Sequence, residues 1–309
     1  MKNDFISLTD FDAPTLLGLL DNADQLKADL KKGVPHKELA GRTLGMVFAK
    51  SSTRTRVSFE VGMYQLGGHA LFLSSNEIQL GRGETISDTA RVLSRYLDAI
   101  MIRNDSHADM VELAHHSSIP VINGLSERFH PCQVMADLQT IREHKGGLKG
   151  LKLAYVGDGN NMAHSLMNGC AILGMDIAVA SPAEYQVDPV VSRQVREIAA
   201  HSGSGLVITE DPREAVSGAD VVYTDTWVSM GQEELKRAKV PVFKNFQVNQ
   251  DLMNLARKDA IFMHCLPAYR GYEVTEEVFE GPQSVVFDEA ENRLHAQKAI
   301  LLYAILGSL

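Results

Sequence analysis

Residues 51–56 read Ser-Ser-Thr-Arg-Thr-Arg, which puts four hydroxyls and two guanidiniums in six consecutive positions. An apolar run, Leu44 to Lys50, precedes them, and a helical pattern, Thr55 to Leu66, overlaps and follows them. Ligands of open α/β sheets bind outside the carboxyl ends of strands. A helix that starts there offers unpaired backbone N–H groups and the positive end of its dipole. Arginine adds a planar fork that matches two oxygens of one phosphate. The chemistry expected of this segment is therefore oxyanion binding. Two further segments have the same placement. His130-Pro131-Cys132-Gln133 comes after a strand candidate and opens a helix, and His264-Cys265-Leu266-Pro267 comes after another strand candidate. Taken alone, a His or Cys at a strand end is more often a packed or capping residue than a ligand group.

These segments need strands and helices to hold them. Short β-rich runs are expected at 44–50, 69–74, 99–103 and 121–125. After the glycines at 146, 147 and 150, more are expected at 151–156, 176–180, 206–209, 220–224, 260–265 and 284–287. Helical periodicity fills most of the gaps, including 131–145, 162–173 and a final helix from Asn292 to Leu306. The alternation predicts an α/β fold of two domains, each a parallel β-sheet flanked by α-helices. Residues 1–145 make the first domain and 151–291 the second, with the boundary at the glycine cluster.

Composition narrows the function classes. Lys plus Arg is 30 against 39 Asp plus Glu, a net charge of −9. Extended nucleic-acid or anionic-membrane binding needs a basic surface, so neither partner is expected. A local basic pocket for a small anion remains compatible with that charge. The three cysteines, Cys132, Cys170 and Cys265, are too few and too odd in number for a disulfide framework. The N-terminal segment lacks a signal-peptide pattern, and no apolar stretch approaches the roughly 18 residues of a membrane helix. A cytoplasmic protein is expected.

Ser52-Thr53-Arg54-Thr55-Arg56, His130-Pro131-Cys132-Gln133, Asp225 with Ser229-Met230-Gly231, and His264-Cys265-Leu266-Pro267 occur in this order along the chain. In these motifs the sequence resembles the carbamoyltransferase family, and the ornithine branch of it in the last two. The resemblance covers essentially the whole chain. It implies an enzyme that moves the carbamoyl group of carbamoyl phosphate to the δ-amino group of L-ornithine, giving citrulline and phosphate, with no cofactor and no metal. It implies that Ser52, Thr53, Arg54 and Thr55 hold the phosphate, that Arg103 bridges phosphate and carbonyl oxygen, and that His130 and Thr55 point at that oxygen. Gln133 and the backbone carbonyls of Cys265 and Leu266 then hold the carbamoyl NH2, and Arg293 contributes from the final helix. By the same resemblance Asp225 and Cys265 flank the attacking amine, while Asn161, Ser229 and Met230 grip the amino-acid end of ornithine. Gln79 would reach the site of a neighbouring subunit, which implies a homotrimer with shared active sites. The first domain would bind carbamoyl phosphate and the second ornithine, with the active site in the cleft between them. The final helix would return to the first domain, and the Leu266–Pro267 bond would be cis.

The residues also admit three other readings. Gly157-Asp158-Gly159 follows a strand and precedes a helix as in a dinucleotide fingerprint, but Met162 stands where the third glycine belongs. His130 with Cys132 and His264 with Cys265 could ligate zinc, without the paired spacing of a zinc motif. A carbamoyltransferase fold could serve only as a binding or structural partner, since fold does not fix function, but each matched site position is intact.

Overall fold

The computed structural model describes residues 2–74, 83–228, 234 and 236–307. The chain divides into two compact units, Met1–Gln139 with Glu291–Leu309, and Thr140–Ala290. In the first unit the order is α1 (Ala13–Lys31), β1 (Thr43–Phe48), α2 (Thr53–Gln65), β2 (His69–Ser74), α3 (Ile86–Leu93), β3 (Ala99–Arg103), α4 (His107–His116), β4 (Val121–Leu125) and α5 (Pro131–Lys145). Among the described residues its sheet has four parallel strands in the order β2-β1-β3-β4. Strands β1 and β3 are central and almost wholly buried, which is why they read as continuous apolar runs rather than alternating ones. Val47, Ile100 and Ile102 pack with Leu97, Met110 and Leu113 from the covering segments.

The second unit continues with β5 (Lys152–Val156), α6 (Asn161–Leu173), β6 (Asp176–Ala180), α7 (Pro189–Ser202), β7 (Leu206–Thr209), α8 (Pro212–Val216), β8 (Val221–Thr224), α9 (Lys236–Phe243), α10 (Gln250–Met253), β9 (Ile261–His264) and α11 (Glu276–Phe279). Its described sheet is parallel, in the order β7-β6-β5-β8-β9. Both units are thus α/β with parallel sheets and helical crossovers, as the alternation predicts. The last helix, α12, runs Val286–Leu306.

That helix corrects one expectation. Ser284 to Phe287 is not a strand. Ser284 makes a single bridge to Phe262, and the chain turns helical at Val286, six residues earlier than the Asn292 start expected. The β-branched pair Val285-Val286 imitates a strand locally. Asp288 and Glu289 in the first turn favour a helix N-terminus through its dipole, and Glu289 accepts from Tyr223 Oη and His264 N.

Two local devices bring side chains to the strand ends. The β3/β4 register shifts at Ile102/Arg103, and Arg103 is the last residue of its strand. In the second unit the turn after β5 runs tight against Tyr185–Val187. A Cβ on Gly159 would lie 2.5 Å from the Gln186 carbonyl carbon and 2.6 Å from Tyr185 O, both backbone atoms. Gly159→Ala is therefore expected to lower the free energy of unfolding by about 1–3 kcal/mol. Gly147, whose added Cβ would meet nothing within 4 Å, should accept Ala within about 0.5 kcal/mol. Urea titration of both variants checks the contrast, and equal effects would contradict the close-approach account.

Candidate active site

In the first unit, Ser52 caps α2, its Oγ accepting from Thr55 N at 3.3 Å. Thr55 is buried, and two arginines reach its hydroxyl: Arg103 Nη1 at 3.5 Å and Arg293 Nη2 at 3.3 Å. Arg293, from α12, also donates through Nη1 to Gln133 Oε1 at 2.5 Å. The amide nitrogen of Gln133 donates to Asp137 Oδ1 at 2.8 Å. Gln297, one turn after Arg293, is fully buried. Its amide oxygen accepts from Arg293 Nη2 at 2.7 Å and Nε at 3.1 Å, and its nitrogen donates to Ser58 Oγ. Ser58 donates to Arg54 O at 2.5 Å, so Gln297 joins α12 to the first turn of α2.

His130 reports the electrostatics of this cluster. Burial, then Arg293, Arg103 and Arg54, hold its imidazole well below the usual histidine range. A neutral, buried histidine among three guanidiniums marks a pocket of concentrated positive potential, suited to an oxyanion. Cys132 has no such role. Burial raises its thiol to about 12, and its Sγ donates to Asn123 O at 3.2 Å.

In the second unit the end of β5, the end of β8 and the end of β9 meet at Asp225. This carboxylate is 6% exposed. Its Oδ1 accepts from Thr226 N at 2.7 Å and from Cys265 Sγ at 3.1 Å, and its Oδ2 accepts from Asn160 Nδ2 at 2.9 Å. Asn160 also caps α6, its Oδ1 accepting from Met162 N and Ala163 N. Those capped N–H groups are the ones a dinucleotide pyrophosphate would use, which argues against that rival. Asn161, predicted to grip ornithine, opens α6 beside it, but Asn160 makes the bond to Asp225.

The turn after β9 is held from behind. Leu266 has φ 59°, and its peptide bond to Pro267 is cis. Leu266 N donates to His264 Nδ1 at 2.8 Å. An accepting Nδ1 puts the ring proton of neutral His264 on Nε2, which faces Glu273 Oε1 at 3.2 Å. Asp225, His264 and Cys265 bring potential ligand atoms within 4.8 Å of one another. With Nδ1 accepting and Nε2 protonated, however, the imidazole has no lone pair for a cation in this arrangement. Thr226, the residue after Asp225, lines a cavity of about 60 Å³ with Trp227, Val228, Val240, Tyr269, Tyr272 and Glu273.

The structure therefore brings Ser52, Thr55, Arg103, Gln133 and Arg293 together, with His130 and Arg54 in the same electrostatic field, and separately joins Asp225 to Cys265. Thr53 lies in the first turn of α2. Gln79, Ser229 and Met230 fall outside the described residues. Asn160, Gln297 and Glu273 were not expected from the sequence. Only Asn160 carried a signal, as an Asn directly before a helical run.

Residues 3–143 match the family model described as aspartate/ornithine carbamoyltransferase, carbamoyl-P binding domain, and residues 149–304 match its Asp/Orn binding domain. The chain belongs to the aspartate/ornithine carbamoyltransferase family. It is 57% identical over 303 residues to an ornithine carbamoyltransferase of Caldicellulosiruptor saccharolyticus, covering 98% of each chain. The corresponding protein of Thermococcus kodakarensis is 54% identical over 304 residues, 98% of this chain and 96% of the relative. Among solved structures, ornithine carbamoyltransferase from Pyrococcus furiosus superposes with a TM-score of 0.97 at 52% identity, covering 100% of this chain and 98% of that one. The anabolic enzyme of Campylobacter jejuni gives 0.92 at 45% identity, with 98% and 99% covered.

The depressed His130 and His295 set an acid limit on stability. Burial and nearby lysines hold His295 at about 3. Each is neutral when folded and takes up a proton on unfolding below its ordinary value of 6.5. Their stabilisation is complete above pH 6.5 and falls as pH drops, by about 1.4 kcal/mol per pH unit for each proton taken up. Urea titrations at pH 7, 6 and 5 are expected to show that fall, and a smaller one in His130→Gln. A wild-type stability that stays level or rises on acidification would contradict the assignment.

Proposed function

We propose that the chain transfers the carbamoyl group of carbamoyl phosphate to the δ-amino group of L-ornithine, releasing L-citrulline and phosphate, in arginine synthesis. The observation that carries this reading is the opposite polarity of two buried clusters. One gathers guanidiniums around Thr55 and a neutral His130. The other presents the Asp225 carboxylate, held by N–H and S–H donors. The first suits a phosphate dianion and the second a cationic amine.

In this reading Ser52, Thr53, Arg54 and Thr55 bind the phosphate, and Arg103 spans phosphate and carbonyl oxygen. His130 and Thr55 donate to that oxygen. Arg293 orients Gln133, which with the Cys265 and Leu266 carbonyls holds the carbamoyl NH2. Ornithine loses a proton from its δ-ammonium beside Asp225 and Cys265. The free amine then attacks the carbonyl carbon, and a C–N bond forms while charge grows on the oxygen. Donors already in place stabilise that charge. The C–O bond to phosphate then breaks, the phosphate leaves with the electron pair, and it takes up the proton that the attacking nitrogen sheds on becoming the citrulline amide. Cys265 donates its S–H to Asp225 and is a positioning group rather than a nucleophile. Asn161, Ser229 and Met230 hold the α-amino and α-carboxylate groups.

The assembly that fits the reading is a cytoplasmic homotrimer with Gln79 serving a neighbouring site. Exposed apolar side chains support contact with a second copy: Leu71 and Phe72 on β2, and Val57 and Tyr64 on α2. Among the described residues no helix is long and apolar enough to cross a membrane.

The test is product formation from carbamoyl phosphate with ornithine, aspartate, putrescine or N-acetylornithine in separate reactions. Citrulline from ornithine alone is expected, and Arg54→Ala should lower that rate by at least about 100-fold. Turnover with a different acceptor would overturn the Asp225 assignment, and a near wild-type Arg54→Ala would overturn the phosphate cradle. Light scattering should give about three times the 33.9-kDa chain mass, and a monomer would contradict the shared-site assembly.

A further inference from the structure

Asp158 and Lys239 form a buried ion pair two residues from Asn160. Lys239 Nζ lies 2.5 Å from Asp158 Oδ2, with the two side chains 9% and 12% exposed. Lys239 comes from α9, and its ammonium also sits 4.9 Å from the Tyr185 ring centre and 5.9 Å from that of Phe243. Desolvating two charges offsets most of their attraction, so such a pair contributes little net stability. Its position points to a different use.

Asp158 and Asp225 interact through space. Burial pushes the Asp158 carboxyl up, Lys239 draws it back down, and Asp225 pushes it up again. Among the described residues, Tyr155 on β5 and Asp158 on the turn after it share the field of Asp225, Cys265 donates to it, and His264 brings a ring nitrogen within 4.8 Å of it. Glu273 acts on the same Tyr155, and Lys239 from α9 pairs with Asp158. The Tyr155 phenol senses the sum, being raised well above its ordinary value by burial and then by Asp225, Asp158, Cys265 and Glu273. Among the described residues this corner gathers three carboxylates, those of Asp158, Asp225 and Glu273, and Lys239 is an ammonium paired with the first of them. An ammonium bound there would be held as an ammonium, whereas attack on a carbonyl needs the free amine.

We propose that the Asp158–Lys239 pair is a charge-balancing positioning element, in which Lys239 cancels the Asp158 charge beside Asp225 so that the acceptor's δ-ammonium releases its proton to solvent more readily. The inference rests on the reading that the ornithine δ-amine lies at Asp225. Lys239 is assigned as a positioning residue, through its contact with Asp158. It acts through Asp158, and the same turn carries Asn160, which orients Asp225.

The sign follows from electrostatics. Lys239→Met removes a positive charge, favours the ammonium and moves the acid limb of the kcat–pH profile to higher pH. Asp158→Asn removes a negative charge and moves the limb to lower pH. Each displacement should be on the order of half a pH unit or more. The double variant Asp158→Asn/Lys239→Met removes both charges and should return the limb to within about 0.2 of wild type, as should Lys239→Arg, which keeps the cation. A purely structural role would lower kcat without opposite displacements. Single variants that shift the limb in the same direction, or not at all, overturn the proposal.

A single variant leaves one charge buried alone and can fail to fold. The double variant, which leaves neither, keeps the test decisive, because a displaced limb there also overturns the proposal. Wild-type protein that makes no citrulline from ornithine would instead remove the underlying reading.

Discussion

The constraint on which the first unit depends is the burial of like charge. Arg103 is 8% exposed and Arg293 3%, and Arg54 contributes to the same field at His130. Guanidiniums gathered in a low-dielectric pocket repel one another and lose hydration, so the surrounding structure must supply hydrogen bonds without cancelling the charge. Neutral oxygens do part of that work here. Thr55 Oγ1 serves two arginines, Gln133 Oε1 accepts from a third direction, and Gln297 grips two nitrogens of Arg293 with an amide carbonyl. Each contact orients a guanidinium and leaves its positive charge available to a phosphate. The parallel sheet brings this about because β1 and β3 both end at the same edge, and the N-terminus of α2 adds its dipole there.

The second unit solves the complementary problem with opposite sign. Asp225 is buried beside Asp158 and is kept compatible with burial by three donors from three strand ends. Behind it, Glu273 and Glu289 fix the β9 turn through His264 and Tyr223. In a chain with a net charge of −9, the described residues thus include a focused positive cluster and a focused negative one. Local arrangement, rather than net charge, decides what each can bind.

Much of this was legible in the sequence. The strand spans 69–74, 99–103, 121–125, 176–180 and 206–209 coincide with the observed ones, because short apolar runs between turn residues leave little freedom of assignment. The run at 284–287 reads as a strand because its two β-branched residues outweigh the acidic first turn of a helix that begins at Val286. The expectation of oxyanion binding at 52–56 follows from residue type and position. The roles of Arg103, Gln133 and Arg293 came with the family resemblance, and the structure shows their side chains converging on Thr55 and one another. Gln297, Lys239 and Glu273 were not readable. Their partners lie 239, 81 and 9 residues away, and pairing over such separations is set by tertiary packing rather than by local pattern.

Everything proposed for the first unit requires that the buried guanidinium cluster bind a phosphate dianion. Calorimetric titration of carbamoyl phosphate into the protein at 25 °C tests this most directly, with Arg103→Met as the comparison. Saturable binding to the wild type is expected, with affinity falling at least about 100-fold in a variant that keeps its far-ultraviolet circular dichroism. Binding left intact by the loss of Arg103, or absent from the wild type, would contradict it.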